Sequence, residues 1–183
     1  MQSTRYEAMN PIVVIWALVC LLFPQLSYAQ DSSVEYKVKA AYIYNFTKFV
    51  TWVDDSSETF NLCILGDDPF GEIIDPIEQR SVMGRPIKLF RLDSLRSIKN
   101  NPHCHILFVS SSIEGAPAAK DVDNTLVLGE RREFINGGGM VGFNNEQGKI
   151  KFQINLNAIK QSGLKVSAKL LEVAEVVKGG DHD

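Results

Sequence analysis

The sequence predicts a single α/β domain with a mostly parallel sheet of about six strands, an antiparallel hairpin at one edge, and helices on both faces. Short apolar runs that suit buried strands alternate with helical segments along the chain, an order typical of parallel sheets. Residues 149–154 instead alternate apolar and polar side chains, as expected of a half-exposed antiparallel strand. The 183 residues, less an N-terminal export signal, suffice for one domain with a hydrophobic core.

Residues 1–29 are predicted to be a cleaved signal peptide. Arg5 precedes an uncharged run from Pro11 to Phe23, and Ser27-Tyr28-Ala29 is a small-x-small cleavage site. The apolar run is short for a membrane span of about 20 residues, although a retained anchor is the alternative. We therefore expect residues 30–183 to form one exported domain.

The first predicted helix, from Val34 to about Trp52, is the segment around which the rest of the chain is organised. At about 100° per residue, one broad face is expected to be core. Its members are Val34, Val38, Ala41, Tyr42, Asn45, Phe46, Phe49, Trp52 and Val53. The opposite side is also largely apolar, so it should lie against a neighbour such as the C-terminal helix, or against a partner or a second subunit.

Strands and helices then alternate. The predicted strands are Phe60–Leu65, Ile87–Arg91, Cys104–Val109, Thr125–Leu128, Met140–Asn144 and Lys149–Ile154. The predicted helices are Pro69–Gln79, Leu92–Lys99, 113–121, Glu130–Ile135, Leu156–Gly163 and Ser167–Val177. The last two strands flank a turn and are predicted to pair as the hairpin.

Two cysteines follow the predicted cleavage site, and each lies in a predicted strand. In an oxidising compartment an even pair favours a disulfide between Cys63 and Cys104. A strand order of 2-1-3 would make the first and third strands neighbours and bring the two sulfurs within reach. Two separate buried thiols are the alternative.

Polar residues follow the first and third strands, at the edge of the sheet where open α/β folds place ligands. Asp67, Asp68 and Ser110 are therefore a candidate ligand-binding set. Helix capping by Asp68 and solvated charge at Asp67 are the simpler explanation of the aspartates. A phosphorylation receiver would need an aspartate at the end of the third strand, where Ser110 stands instead.

The histidine and glycine motifs have structural explanations. His103 and His105 share one side of a strand while Cys104 takes the other, which leaves at most two ligands, so we expect no metal site. Gly137, Gly139 and Gly142 have dinucleotide-motif spacing but enter a strand rather than a helix. We expect neither a cofactor nor catalytic residues, because no nucleophile elbow is present and nothing orients a histidine.

The net charge of -3, without a basic run, argues against nucleic acid as a partner.

Several blocks of the chain resemble the YfiR family of periplasmic proteins. These blocks are Lys39–Trp52, Leu62–Phe70, Cys104–Ser110, Gly137–Met140, Ile150–Asn155 and Ser167–Leu171. The resemblance implies a non-enzymatic regulator of cyclic-di-GMP signalling and biofilm formation, which represses an inner-membrane diguanylate cyclase by binding its sensory domain. It also implies control by an outer-membrane lipoprotein and by oxidation state, and it matches Cys63 and Cys104 to a family disulfide. A homodimer is a further expectation.

Repression requires a protein that prefers the inactive conformation of its target, since equal binding to both states shifts nothing. Tyr44, Phe49 and Trp52 are the expected partner-binding residues, because Trp and Tyr dominate interface hot spots. Phe49 and Trp52 also lie on the face predicted to be core. The alternative function is a periplasmic small-ligand or cell-wall-fragment binding protein that uses the polar strand ends.

Overall fold

A computed structural model describes residues 28–53, 55–100, 103–114, 117 and 122–177. The predicted signal peptide, except for its last two residues, and most of the predicted helix at 113–121 lie outside these residues. Contacts divide the chain into residues 1–32 and a compact unit of residues 33–183, and the second unit carries the features discussed below. Within the described ranges, no helix has the length and hydropathy that a membrane span needs.

The described chain forms four α-helices, two 3₁₀ helices and ten strands. The helices are α1 Tyr28–Phe49, α2 Leu95–Asn100, α3 Leu156–Gln161 and α4 Ala168–Glu172, with 3₁₀ helices at Gly71–Ile73 and Asp75–Gln79. The strands are β1 Val50–Thr51, β2 Phe60–Leu65, β3 Ser81–Val82, β4 Arg85–Leu92, β5 Ile106–Val109, β6 Leu126–Gly129, β7 Val141–Glu146, β8 Lys149–Asn155, β9 Lys165–Val166 and β10 Glu175–Val177.

Eight strands form one mixed sheet in the order β10-β8-β7-β6-β5-β2-β4-β3. Strands β4, β2, β5, β6 and β7 are parallel to their neighbours in this order, and β7 pairs with β8 as an antiparallel hairpin. The predicted fold class, the 2-1-3 order of the first three main strands and the hairpin are confirmed. The hairpin is not at the edge, because β10 pairs in parallel with β8 beyond it.

Four segments predicted as helices differ in the structure from what their periodicity indicates. Helix α1 ends at Phe49 rather than Trp52, because β1 pairs with β9 in a separate two-stranded sheet. The segment Pro69–Gln79 forms two 3₁₀ helices. The predicted helix Ser167–Val177 is limited to α4, since Glu175–Val177 instead takes the free edge of β8. Glu130–Ile135 forms turns rather than a helix.

Helix α1 packs across one face of the sheet with a different rotation from the predicted one. Its buried members are Lys39, Ile43, Phe46 and Thr47. The Phe46 ring lies 6.2 Å from Phe143 and 5.3 Å from Phe152, between ring centroids. Much of the predicted core face of α1 is therefore wrong: Val34 is 54% exposed and Val38 is 36% exposed.

Candidate partner-binding surface

A buried ion cluster fixes the rotation of α1 on the sheet. The ammonium group of Lys39 lies 2.7 Å from the Glu130 carboxylate, which follows β6, and 2.5 Å from Glu35 on the same helix. The Tyr36 hydroxyl donates to Glu130 at 3.2 Å. Burial, together with the negative charge of Glu130, raises the pKa of Tyr36 far above its ordinary value, so the phenol remains a donor. Because Lys39 is paired with the carboxylates of Glu35 and Glu130, its charged side chain can be buried on the side of α1 that faces the sheet.

Turning Lys39 inward turns an apolar stripe of α1 outward. We define the α1 outer surface by Val34, Lys37, Val38, Ala41, Tyr44 and Asn45. Two grooves run along this surface. One, of about 330 Å³, lies over Val34, Val38 and Tyr42. The other, of about 340 Å³, lies between α1 and the 3₁₀ helices, with Ile73, Ile74 and Ile77 on its far wall. An exposed apolar helix face of this kind is typical of a site for another protein.

Tyr44 stands in the second groove and is held in place by two cations. The ammonium group of Lys48 lies 4.7 Å from its ring centroid, and the Arg80 guanidinium lies 5.4 Å from it. The side chain is partly buried, so its ring presents a fixed surface to solvent. Such a pre-positioned aromatic suits an interface anchor, because little side-chain entropy is lost on binding.

Of the other two predicted anchors, only Trp52 lies deeper. Phe49, like Tyr44, is partly buried and packs against the core. Trp52 is 8% exposed, its ring lies edge-on to Phe60 at 4.9 Å, and its indole N–H donates to the His105 carbonyl at 2.9 Å. This burial argues against a direct partner contact for Trp52, which instead fixes the chain as it leaves α1.

A buried polar cluster joins the amino ends of β2, β4 and β5, and sequence reasoning missed it. The His105 side chain is 0% exposed, its Nε2 lies 2.8 Å from the Asp55 carboxylate, and its Nδ1 accepts from the Asn61 backbone N–H at 2.8 Å. Arg85 forms an ion pair with the same carboxylate. In the sequence, only the pair His103 and His105 pointed to this cluster. Periodicity does not reveal the partners of His105, because Asn61 and Asp55 lie 44 and 50 positions away.

The contacts of His105 decide its protonation state. Since Nδ1 accepts a backbone hydrogen bond, the proton of the neutral ring is on Nε2, where it donates to Asp55. Burial lowers the pKa of His105, against the opposing effect of Asp55. Burial alone would raise the pKa of Asp55, but hydrogen bonds from Ser57 and Arg85 outweigh it and hold that pKa well below its usual range. Both ring nitrogens are occupied, so this histidine is a structural group rather than a free base.

Cys63 and Cys104 form a disulfide, in agreement with the prediction. Their Cα atoms are 5.8 Å apart, and they are 41 residues apart in sequence. The bond ties β2 to the residues that enter β5, which is its neighbour in the sheet. In the portions of the chain that the structure describes, no group of three or more His, Cys, Asp or Glu side chains could hold a metal ion.

The candidate ligand-binding residues lie at the carboxyl ends of β2 and β5, but their polar groups largely meet the protein itself. Asp68 accepts from the Phe70 backbone N–H at 2.8 Å and from Arg91 at 2.7 Å. Ser110 is buried, and the neighbouring Ser112 hydroxyl accepts from the backbone N–H of Asp67 at 2.9 Å. A Cβ atom at Gly66 would lie 2.6 Å from this hydroxyl. The crevice at the strand ends is therefore filled by its own serine turn.

A larger open cavity, of about 540 Å³, lies elsewhere along the sheet. Its walls are mostly polar and include Glu130, Arg132, Asn144, Gln153 and Glu175. Several of these groups are already paired: Glu130 binds Lys39, and Gln153 donates to Glu175 at 3.1 Å. The apolar α1 outer surface is the stronger candidate for recognition, because its exposed side chains gain most from being covered.

Comparison with known proteins gives one match that covers most of the chain. The sequence profile of a family described as YfiR/HmsC-like matches residues 36–175. This range runs from α1 to the first residue of β10, and so includes the α1 outer surface except Val34, the disulfide and the polar cluster. The sequence matches none of the curated proteins with which it was compared.

Proposed function

Since the chain belongs to the YfiR/HmsC-like family, we propose that it is a periplasmic regulatory protein that represses an inner-membrane diguanylate cyclase by binding the cyclase's sensory domain. The family match over residues 36–175 is the observation that carries this proposal. The protein acts by contact and transforms no substrate. Its effect on the cell is a lower rate of cyclic-di-GMP synthesis.

The α1 outer surface is the proposed contact site. It combines exposed apolar side chains with Tyr44, an aromatic residue held between two cations. Phe49 extends the contact at the C-terminal end of α1, whereas Trp52 acts from within by positioning that end. Repression follows if this surface fits the inactive conformation of the sensory domain better than the active one.

Export and relief of repression complete the proposal. A signal peptide of residues 1–29 delivers the chain to the periplasm, where the disulfide persists. An outer-membrane lipoprotein is the proposed antagonist, which withdraws the regulator from the cyclase. Any protein that binds the repressor at the expense of the cyclase raises cyclic-di-GMP by mass action.

The proposal is tested by deleting the gene and measuring cyclic-di-GMP in cells. We expect the level to rise in the deletion strain and to return to normal when the wild-type gene is restored. The Tyr44→Asp variant should fail to restore it, because a carboxylate replaces the aromatic anchor, while Lys88→Asp on the far face of β4 should restore it fully. An unchanged level after deletion would refute repression of a cyclase.

A further inference from the structure

The α1 outer surface suits one kind of partner segment, and we propose that this segment is an acidic amphipathic helix. The inference rests on the proposed function, because it names the element of the partner that the same surface receives. A helical surface has no free backbone edge, so it cannot recruit a strand by main-chain pairing. A segment that docks on α1 must therefore be held by side chains, as a helix laid in a groove is.

The shape of the surface favours a helix. Ala40 and Ala41 line the groove beside Tyr44, and Ala41 also lines the groove over Val38. Since alanine side chains end at Cβ, a second helix can approach closely along this line, within the 8–10 Å or so between packed helix axes. The surface from Val34 to Lys48 is about 21 Å long at the rise of an α-helix. A partner helix of about four turns would cover it.

The charge of the surface favours an acidic helix. Lys37 and Arg80 line the grooves, and Lys48 stands over the Tyr44 ring. Among the residues that the structure describes, no aspartate or glutamate lines either groove, and none of their ion pairs includes these three cations. The described residues that line the grooves therefore carry a net positive charge on a chain whose net charge is -3. Carboxylates on the flanks of an apolar partner helix complement this pattern.

The same charges disfavour a second copy of this chain as the occupant. In a symmetric dimer each subunit uses the same patch. Packing α1 on α1 would bring Lys37, Lys48 and Arg80 of both copies to one interface. Like charges brought together at an interface cost free energy and suppress that pairing. A different protein with acidic side chains avoids this repulsion.

Photo-crosslinking of the full-length protein in cells tests this inference. A benzophenone amino acid at Ala41 should crosslink to a segment whose apolar residues recur with helical period and whose flanks carry Asp or Glu, as identified by mass spectrometry. A crosslink to α1 of a second copy, or to a basic or strand-forming segment, would overturn the inference. So would the absence of any crosslink from a protein that still lowers cyclic-di-GMP, which would leave the proposed function intact.

A charge-reversal experiment is the second test of the proposed acidic partner helix. Binding to a synthetic peptide of the crosslinked segment should weaken about tenfold in Lys37→Glu/Arg80→Glu, and its salt dependence should diminish. The matched control, Lys88→Glu, changes an exposed cation on the far face of β4 and should bind as the wild type does. Equal affinity of the double variant and the control would contradict an acidic partner. If the acidic helix is crosslinked but deletion of the gene leaves cyclic-di-GMP unchanged, the inference stands and the proposed function fails.

Discussion

At the scale of single residues, the buried His105 is the group whose protonation links stability to pH near neutrality. It is enclosed by Asp55 and Arg85, by the ring of His103 at 5.3 Å between centroids, and by Phe60. A proton on Nδ1 would face the Asn61 backbone N–H, which already points at that atom. The folded protein therefore resists protonation of this ring, whereas the unfolded chain takes up the proton at an ordinary histidine pKa.

We predict that the protein loses stability on mild acidification. The pKa of His105 is lower in the folded state than its ordinary value of about 6.5. Below that pH the unfolded state binds the extra proton, so the free energy of unfolding falls by up to about 1.4 kcal/mol per pH unit. Asp55 adds a second loss below about pH 4, because its pKa is held low in the folded state.

Urea unfolding between pH 7 and 5 measures this slope. The variant His105→Asn retains an acceptor for the Asn61 backbone N–H but cannot titrate, so its unfolding free energy should vary less with pH than that of the wild type. His103→Gln serves as the control and should keep most of the slope. Parallel slopes for the wild type and His105→Asn would show that His105 does not govern the acid response.

At the scale of elements, α1 shows that helical periodicity predicts the presence of a helix but not which of its sides faces the sheet. The helix itself is predictable, but both of its sides are apolar, so periodicity alone does not select the inner face. The ion pair of Lys39 with Glu130 selects it, and these residues are 91 positions apart. The end of α1 depends likewise on a distant strand, β9, to which β1 pairs.

We predict very different costs for truncations on the two sides of α1. Phe46→Ala should lower the free energy of unfolding by about 3–5 kcal/mol, because the ring is buried against Phe143 and Phe152. Val38→Ala, on the outer surface, should change it by less than about 0.5 kcal/mol. Denaturant titrations of both variants give the comparison. A larger loss of unfolding free energy for Val38→Ala than for Phe46→Ala would instead support the rotation of α1 that the sequence predicts.

The sheet was more predictable than the surface that covers it. Strand β2 falls at Phe60–Leu65 as predicted, because a fully buried strand reads as a continuous apolar run. The final strand could not be foreseen, since Val173 and Val177 also fit a helical stripe, yet β10 pairs with the exposed edge of β8. The secondary structure of Glu175–Val177 is therefore determined by pairing with the distant strand β8 rather than by local periodicity.

At the scale of the whole molecule, the disulfide holds together the centre of the sheet. Cys63 is in β2 and Cys104 precedes β5, and the loop that they close includes β4 and α2. A link across 41 positions restricts the unfolded chain and thereby stabilises the folded one, in the loop-entropy view. Neither cysteine lines a groove of the α1 outer surface, so we expect the bond to support that surface through the stability of the fold.

We predict that Cys63→Ser/Cys104→Ser lowers the free energy of unfolding by about 3–4 kcal/mol. Binding to the partner at low temperature should change little, because no residue of the α1 outer surface is altered. Non-reducing peptide mapping of the wild type should recover the linked peptides. Complete alkylation of both cysteines in the absence of reductant would refute the bond, and unaltered stability of the double variant would refute its role.

The central claim is that this protein lowers the activity of a diguanylate cyclase by binding its sensory domain through the α1 outer surface. Membranes that contain the cyclase, titrated with the purified mature protein, test this claim most directly through the rate of cyclic-di-GMP synthesis. We predict that the wild type lowers the rate to a saturating minimum, whereas Tyr44→Asp of equal stability leaves the rate unchanged. A rate that is unaffected by the wild type, or lowered equally by the variant, would contradict the account.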